Sequence, residues 1–268
     1  MRIKATYLLV ENKLTNKFLL FSLVLNSLQN IAIMKKSILV GIALFLNISL
    51  FAQKTWFSVY TDSIQFVKDA KTLTERFQND IYTLVGNEKF VITPILNTTP
   101  YLIYYDSRFK SANLPLWDQV IPQQKEFFYE VAGSEREGKI AFGLFFNGFY
   151  LPHELGHALQ DFANNNITDV SYANEYFANT VAILWWRKQN RTEELKACYE
   201  YAKKMWSKLP NPVPKNESEE EYFTKNYEKA SQNPYTYGYM QFKQFIQIYE
   251  DKSLPNFETF LKTFLIKK

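Results

Sequence analysis

The chain has 268 residues, 47% of them apolar and 22% charged. These are the proportions of a globular protein, and they exclude a low-complexity tract and a multi-span membrane protein. The formal charge of +4 is confined to the leader: residues 1–52 hold six bases and one acid, the remainder 25 bases and 26 acids. Nothing in the rest of the chain therefore suggests a polyanion partner, and no nucleic-acid ligand is expected.

Met34-Lys35-Lys36 opens a basic region, Ser37 to Leu46 an apolar one, and Ala52 supplies a small residue at its end. These are the three parts of a secretory signal over residues 34–52, with a mature chain expected to begin near Gln53. The apolar run is short of the roughly 20 residues that a membrane span needs, so no stable span is expected after cleavage. An uncleaved N-terminal anchor is the alternative. Residues 1–33 precede a signal that has its own methionine, which points to a misassigned start; a real hydrophobic segment over Phe18–Ile33 is the other reading. The localisation that follows is export, to a bacterial periplasm or the exterior. Cys198 is the one cysteine, so no internal disulfide forms, and its place in an amphipathic stretch reads as a small buried hydrophobe.

Along residues 53–268, expected to form a single domain, Asp62–Val85 has helical spacing of Ile64, Val67, Phe77, Ile81 and Leu84, with Gly86 after its end. Strands are expected at Phe90–Thr93, Tyr101–Tyr105 and Lys139–Phe146, from their β-branched and aromatic residues. Helices are expected at Phe149–Phe162, Tyr172–Lys188, Thr192–Ser207, Glu217–Ala230, Thr236–Glu250 and Asn256–Leu265. Three prolines, Pro210, Pro212 and Pro214, force a loop between the third and fourth of these. The fold class is α+β: an N-terminal helix and small sheet packed on a helical C-terminal half, with the helix expected at Phe149–Phe162 between them.

Both histidines of the chain lie in His153-Glu154-Leu155-Gly156-His157. Four residues apart on a helix, they share a face and can bind one zinc ion. Glu154 stands beside the first of them, where a carboxylate can take a proton from water. A catalytic zinc needs a third protein ligand, and Glu175 lies on the next expected helix, after the turn-forming run Asn164–Asn166. Asn179, one turn further, can accept a ligand imidazole's ring N–H. Pro152 fits the first turn of the helix, and Gly156 fits a close approach of another element.

These residues resemble the gluzincins, the zincin metallopeptidase group that includes thermolysin-like and zinc aminopeptidase catalytic domains. The resemblance covers about Gly148 to Asn179. It implies a zincin-like fold, His153, His157 and Glu175 as zinc ligands, and Glu154 as general base. The reaction implied is hydrolysis of a peptide bond in a peptide or protein substrate. Asn179 departs from the family's usual aspartate. A weaker match, the Tyr-x-x-Gly spacing of Tyr235 to Gly238, implies Tyr235 as the donor to the developing oxyanion, with Tyr237 second. The segment Lys139–Phe146 is expected to serve as an edge strand for an extended peptide, or else as an ordinary core strand. Two other readings stand beside the enzyme: an exported non-catalytic zinc- or ligand-binding protein on the same scaffold, and a structural protein without metal.

Overall fold

Asp62 starts the first helix, α1 (Ser63–Val85), by accepting the backbone N–H groups of Ile64 and Gln65 on its side chain; Gly86, at φ 80°, ends it. That positive φ is one that glycine adopts without steric cost. The buried stripe is Phe66, Ala70, Leu73, Phe77 and Ile81. Of the residues expected at helical spacing, Phe77 and Ile81 lie in it, whereas Ile64 is exposed. The computed structural model describes residues 56–86, 89–164 and 171–266, all within one compact unit, Lys54–Lys268. The expected signal, the expected alternative start and most of the Asn164–Asn166 turn lie outside the described residues.

Three short strands follow: β1 (Thr93–Leu96), β2 (Tyr104–Asp106) and β3 (Ser111–Leu114). The sheet order is β1-β3-β2, with β1 parallel and β2 antiparallel to the central strand. The first two overlap the expected strands only at Thr93 and at Tyr104–Tyr105. The strand β3, Ser-Ala-Asn-Leu, has no β-branched residue and was not expected; it is buried at all four positions between two partners, so tertiary context outweighs propensity there.

The segment Lys139–Phe146 is not a strand. It lies in α3 (Glu135–Leu144), which follows α2 (Pro122–Ala132) across Gly133, and its last two residues enter a π-helical segment, Phe145–Phe149. The Ser134 side chain accepts the N–H of Glu137 as the N-cap of α3, and two glutamates occupy the first turn, both favourable at a helix start. Aromatic density drew the strand reading, but the buried positions Gly138, Ala141, Phe142 and Phe145 recur with helical period, while Lys139 and Ile140 are exposed. The expected docking of a peptide along this segment falls with it.

Within the π-helical segment Asn147 leaves helical geometry (φ −109°, ψ 21°), and the next helix, α4 (Tyr150–Asn164), carries Pro152 in its first turn. A proline there has no N–H for the carbonyl four residues earlier and crowds that carbonyl; the widened turn removes the conflict. Asn147 is fully buried and braces the kink: its side chain accepts the Tyr60 N–H and donates to the Pro115 carbonyl. The remaining helices are α5 (Tyr172–Lys188), α6 (Thr192–Trp206), α7 (Glu219–Ser231), α8 (Pro234–Glu250) and α9 (Phe257–Ile266), close to the expected spans. The described residues are thus mostly helical with one small sheet, an α+β arrangement. Cys198 is buried and free.

Helices α4 and α5 run antiparallel in tight register. His153 meets Asn179, His157 meets Glu175, and Gln160 meets Asn174, each step along α4 matching a step back along α5. Gly156 allows this approach, since a Cβ there would stand 2.9 Å from Cα of Ala178. Gly156→Ala should gain up to about 1 kcal/mol of helix propensity yet destabilise the fold by a net of about 1–3 kcal/mol through overpacking. Urea unfolding checks this; an unchanged or raised midpoint would show that the helices can part without cost.

Candidate metal centre

The facing sides of α4 and α5 bring Nε2 of His153 and Nε2 of His157 to 3.1 Å, with Oε2 of Glu175 at 3.2 Å from the first and 3.5 Å from the second. Four tetrahedral ligands at about 2.0–2.1 Å from a zinc ion stand about 3.3–3.4 Å apart, so the three atoms are spaced as ligands of one ion. His153 and Glu175 are 2% and 1% exposed. This buried group of two imidazoles and one carboxylate could hold a metal ion.

Each imidazole is held at its other nitrogen. His153 Nδ1 lies 2.9 Å from Oδ1 of Asn179, and His157 Nδ1 lies 3.1 Å from Oε1 of Gln160. Both amide oxygens only accept, so each ring carries a proton on Nδ1, and Nε2 is the nitrogen left to face an ion. The Asn179 contact is the one expected from the sequence. Glu175 is held at both oxygens: Tyr227 donates to Oε1 at 2.5 Å and Gln241 Nε2 to Oε2 at 2.6 Å.

The electrostatics favour a cation at this point. Burial opposes the ionised form of Glu175, but the His157 and His153 imidazoles outweigh it and hold the carboxyl well below its usual range. Burial likewise works against a charged His157, yet the Glu175 carboxylate, with a smaller contribution from Glu154, raises it to about 9. The field that draws a proton to His157 draws a metal cation equally.

Glu154 is 5% exposed and lines the same cleft. Burial pushes its carboxyl up; the two imidazoles partly offset this, as does a hydrogen bond from the Tyr105 backbone N–H. That N–H belongs to β2, so the edge strand of the sheet holds the carboxylate from across the cleft. The cleft, of about 250 Å³, is also lined by Tyr104, Tyr227 and Tyr237. At its rim Asp161 accepts hydrogen bonds from Tyr105 and Lys110.

The two candidate tyrosines part company. Asn233 caps α8, which begins two residues before the expected start, its side chain accepting the N–H groups of Tyr235 and Thr236. Tyr235 is thereby turned away from the cleft: its hydroxyl donates to Glu130 at 2.5 Å and its ring packs edge-on to Phe127. Tyr237 lines the cleft, accepts from Gln241 Nε2 at 2.9 Å and hydrogen-bonds Tyr227. Tyr227 gives its own proton to Glu175, so Tyr237 is the donor in that pair. Burial and the Glu175 carboxylate push both hydroxyls above their usual range, which keeps them protonated donors. Tyr227, Gln241 and Gln244 were not foreseen from the sequence.

Fold and site together define a mostly helical α+β domain with a buried two-histidine, one-carboxylate group suited to a metal ion. Comparison with protein-family models, with curated proteins and with solved structures finds no match.

Proposed function

We propose that the protein is an exported zinc-dependent peptide-bond hydrolase of gluzincin type, with a zincin-like arrangement of its active-site helices. The observation that carries this reading is the convergence of His153, His157 and Glu175 at ligand spacing with Glu154 on the same cleft. Two histidines and a glutamate are a catalytic zinc set that leaves a position open. When bound, zinc supplies Lewis acidity toward a substrate carbonyl and lowers the pKa of water toward neutrality.

The residues of the chain do the rest. Glu154, raised by burial, takes the proton of the attacking water and returns it to the leaving amine, roles that suit a carboxylate with an elevated pKa. Tyr237 turns its hydroxyl from Tyr227 toward the developing oxyanion. Export rests on the signal-like run Met34–Ala52.

Cleavage of a mixed peptide library, abolished by a chelator and restored by zinc, tests the reading; a metal-loaded chain that cleaves nothing would leave a binding protein. Tyr237→Phe removes only the hydroxyl and should lower kcat by roughly 10²–10³ with zinc content unchanged. Tyr235→Phe should leave kcat unaltered. A loss in Tyr235→Phe alone would reverse this assignment.

A further inference from the structure

Glu175 and His153 are joined by a route that does not pass through the metal position. Gln241 on α8 is 3% exposed; its Nε2 donates to Oε2 of Glu175 and to Tyr237, and its Oε1 accepts from Nδ2 of Asn179 at 2.9 Å. Asn179 Nδ2 also donates to Oε1 of Gln244 at 3.0 Å, and Gln244 Nε2 donates to the Tyr172 carbonyl at the same distance. All three amides are buried.

Only one orientation of these amides satisfies every group. An ionised carboxylate can only accept, so the nitrogen of Gln241 must face Glu175 and its oxygen must face Asn179. The Tyr172 carbonyl fixes Gln244 in the same way. Asn179 therefore turns its nitrogen to the two glutamines and its oxygen to His153, which must hold a proton on Nδ1 and leave Nε2 to face an ion. The carboxylate of one ligand thus dictates the tautomer of another. The same logic explains why asparagine stands at 179: an aspartate would set a carboxylate oxygen against the oxygens of Gln241 and Gln244, and neither glutamine can flip without facing another acceptor.

Resting on the metal reading above, we propose that Gln241 is a positioning residue of the metal centre, aiming Glu175 directly and His153 through Asn179. Gln244 provides a matched control, being the same residue type on the same helix, equally buried and bonded to Asn179 but not to Glu175.

The test is zinc affinity of the full chain, prepared metal-free and titrated against a chromophoric chelator. Gln241→Met should weaken binding by roughly 10–100-fold, the usual loss when a ligand's outer partner is removed. Gln244→Met should weaken it several-fold less. Asn179→Asp should also weaken it, although a carboxylate partner ordinarily strengthens an imidazole ligand. Gln241→Asn, which withdraws the amide by one methylene, should lose affinity too and replaces the methionine variant if circular dichroism shows that variant unfolded. Equal losses in Gln241→Met and Gln244→Met, or tighter binding in Asn179→Asp, would overturn the proposal while leaving the metal reading intact. A wild-type chain that takes up no zinc would overturn both.

Discussion

Glu154→Gln will keep its metal and lose peptide cleavage, with kcat reduced by roughly 10²–10⁴, the usual contribution of a positioned acid–base group. The substitution is isosteric, and the Glu154 carboxylate is not among the three atoms that converge at ligand spacing. The amide that replaces the carboxylate can still accept the Tyr105 N–H through its oxygen, so the edge strand stays in place and only proton transfer is lost. Activity and zinc content measured on one preparation separate this outcome from unfolding. Cleavage at the wild-type rate would remove Glu154 from the mechanism, and loss of zinc alongside activity would make it a structural support of the site.

The second large effect falls on the ligands. His153→Ala, His157→Ala and Glu175→Ala should each weaken zinc binding by more than the roughly 100-fold that loss of an outer partner costs at most. Affinity should also depend on pH in a defined direction. His157 in the metal-free chain is raised to about 9 by the carboxylate beside it, so below that pH the ion must displace a proton. Zinc affinity should then fall by about tenfold per pH unit on going from pH 9 to pH 7 and be nearly flat above 9. Titrations in buffers of different ionisation enthalpy count the proton released at pH 7; release of none would show that the ion does not occupy the position between His157 and Glu175.

His153, Glu154, His157, Glu175 and Asn179 were legible because they lie within a few turns of two consecutive helices. In such a pair the sequence spacing is nearly the spatial spacing, and the antiparallel return of α5 matches residue to residue. Gln241, Gln244 and Tyr227 were not legible. They reach the site from α7 and α8, and an amide or a phenol among many similar residues has no spacing that marks it. Tyr235 and Tyr237 show how sensitive such readings are to phase. Residues two apart on a helix point about 200° away from each other, so only Tyr237 lines the cleft while Tyr235 turns to Glu130.

The fold was readable where burial follows the period of the element. Helix α5 occupies the span expected for it, Tyr172–Lys188; in the structure Ser171 caps its start and a long buried apolar run follows. The strand expected at Lys139–Phe146 failed for the opposite reason: phenylalanines crowd both sides of the segment, and local residue type hid a helical period visible only once Gly138 is counted as a buried position. Such a glycine packs because it lacks a side chain, here with a would-be Cβ 2.8 Å from the Phe128 backbone, so hydropathy cannot register it.

Whether His153, His157 and Glu175 hold zinc is read from the metal content of the full chain, purified without added metal and compared with its His153→Ala, His157→Ala double variant. About one zinc per wild-type chain and none in the variant is expected, with both chains folded. A folded wild-type chain free of metal, or an equal content in the two, would contradict it.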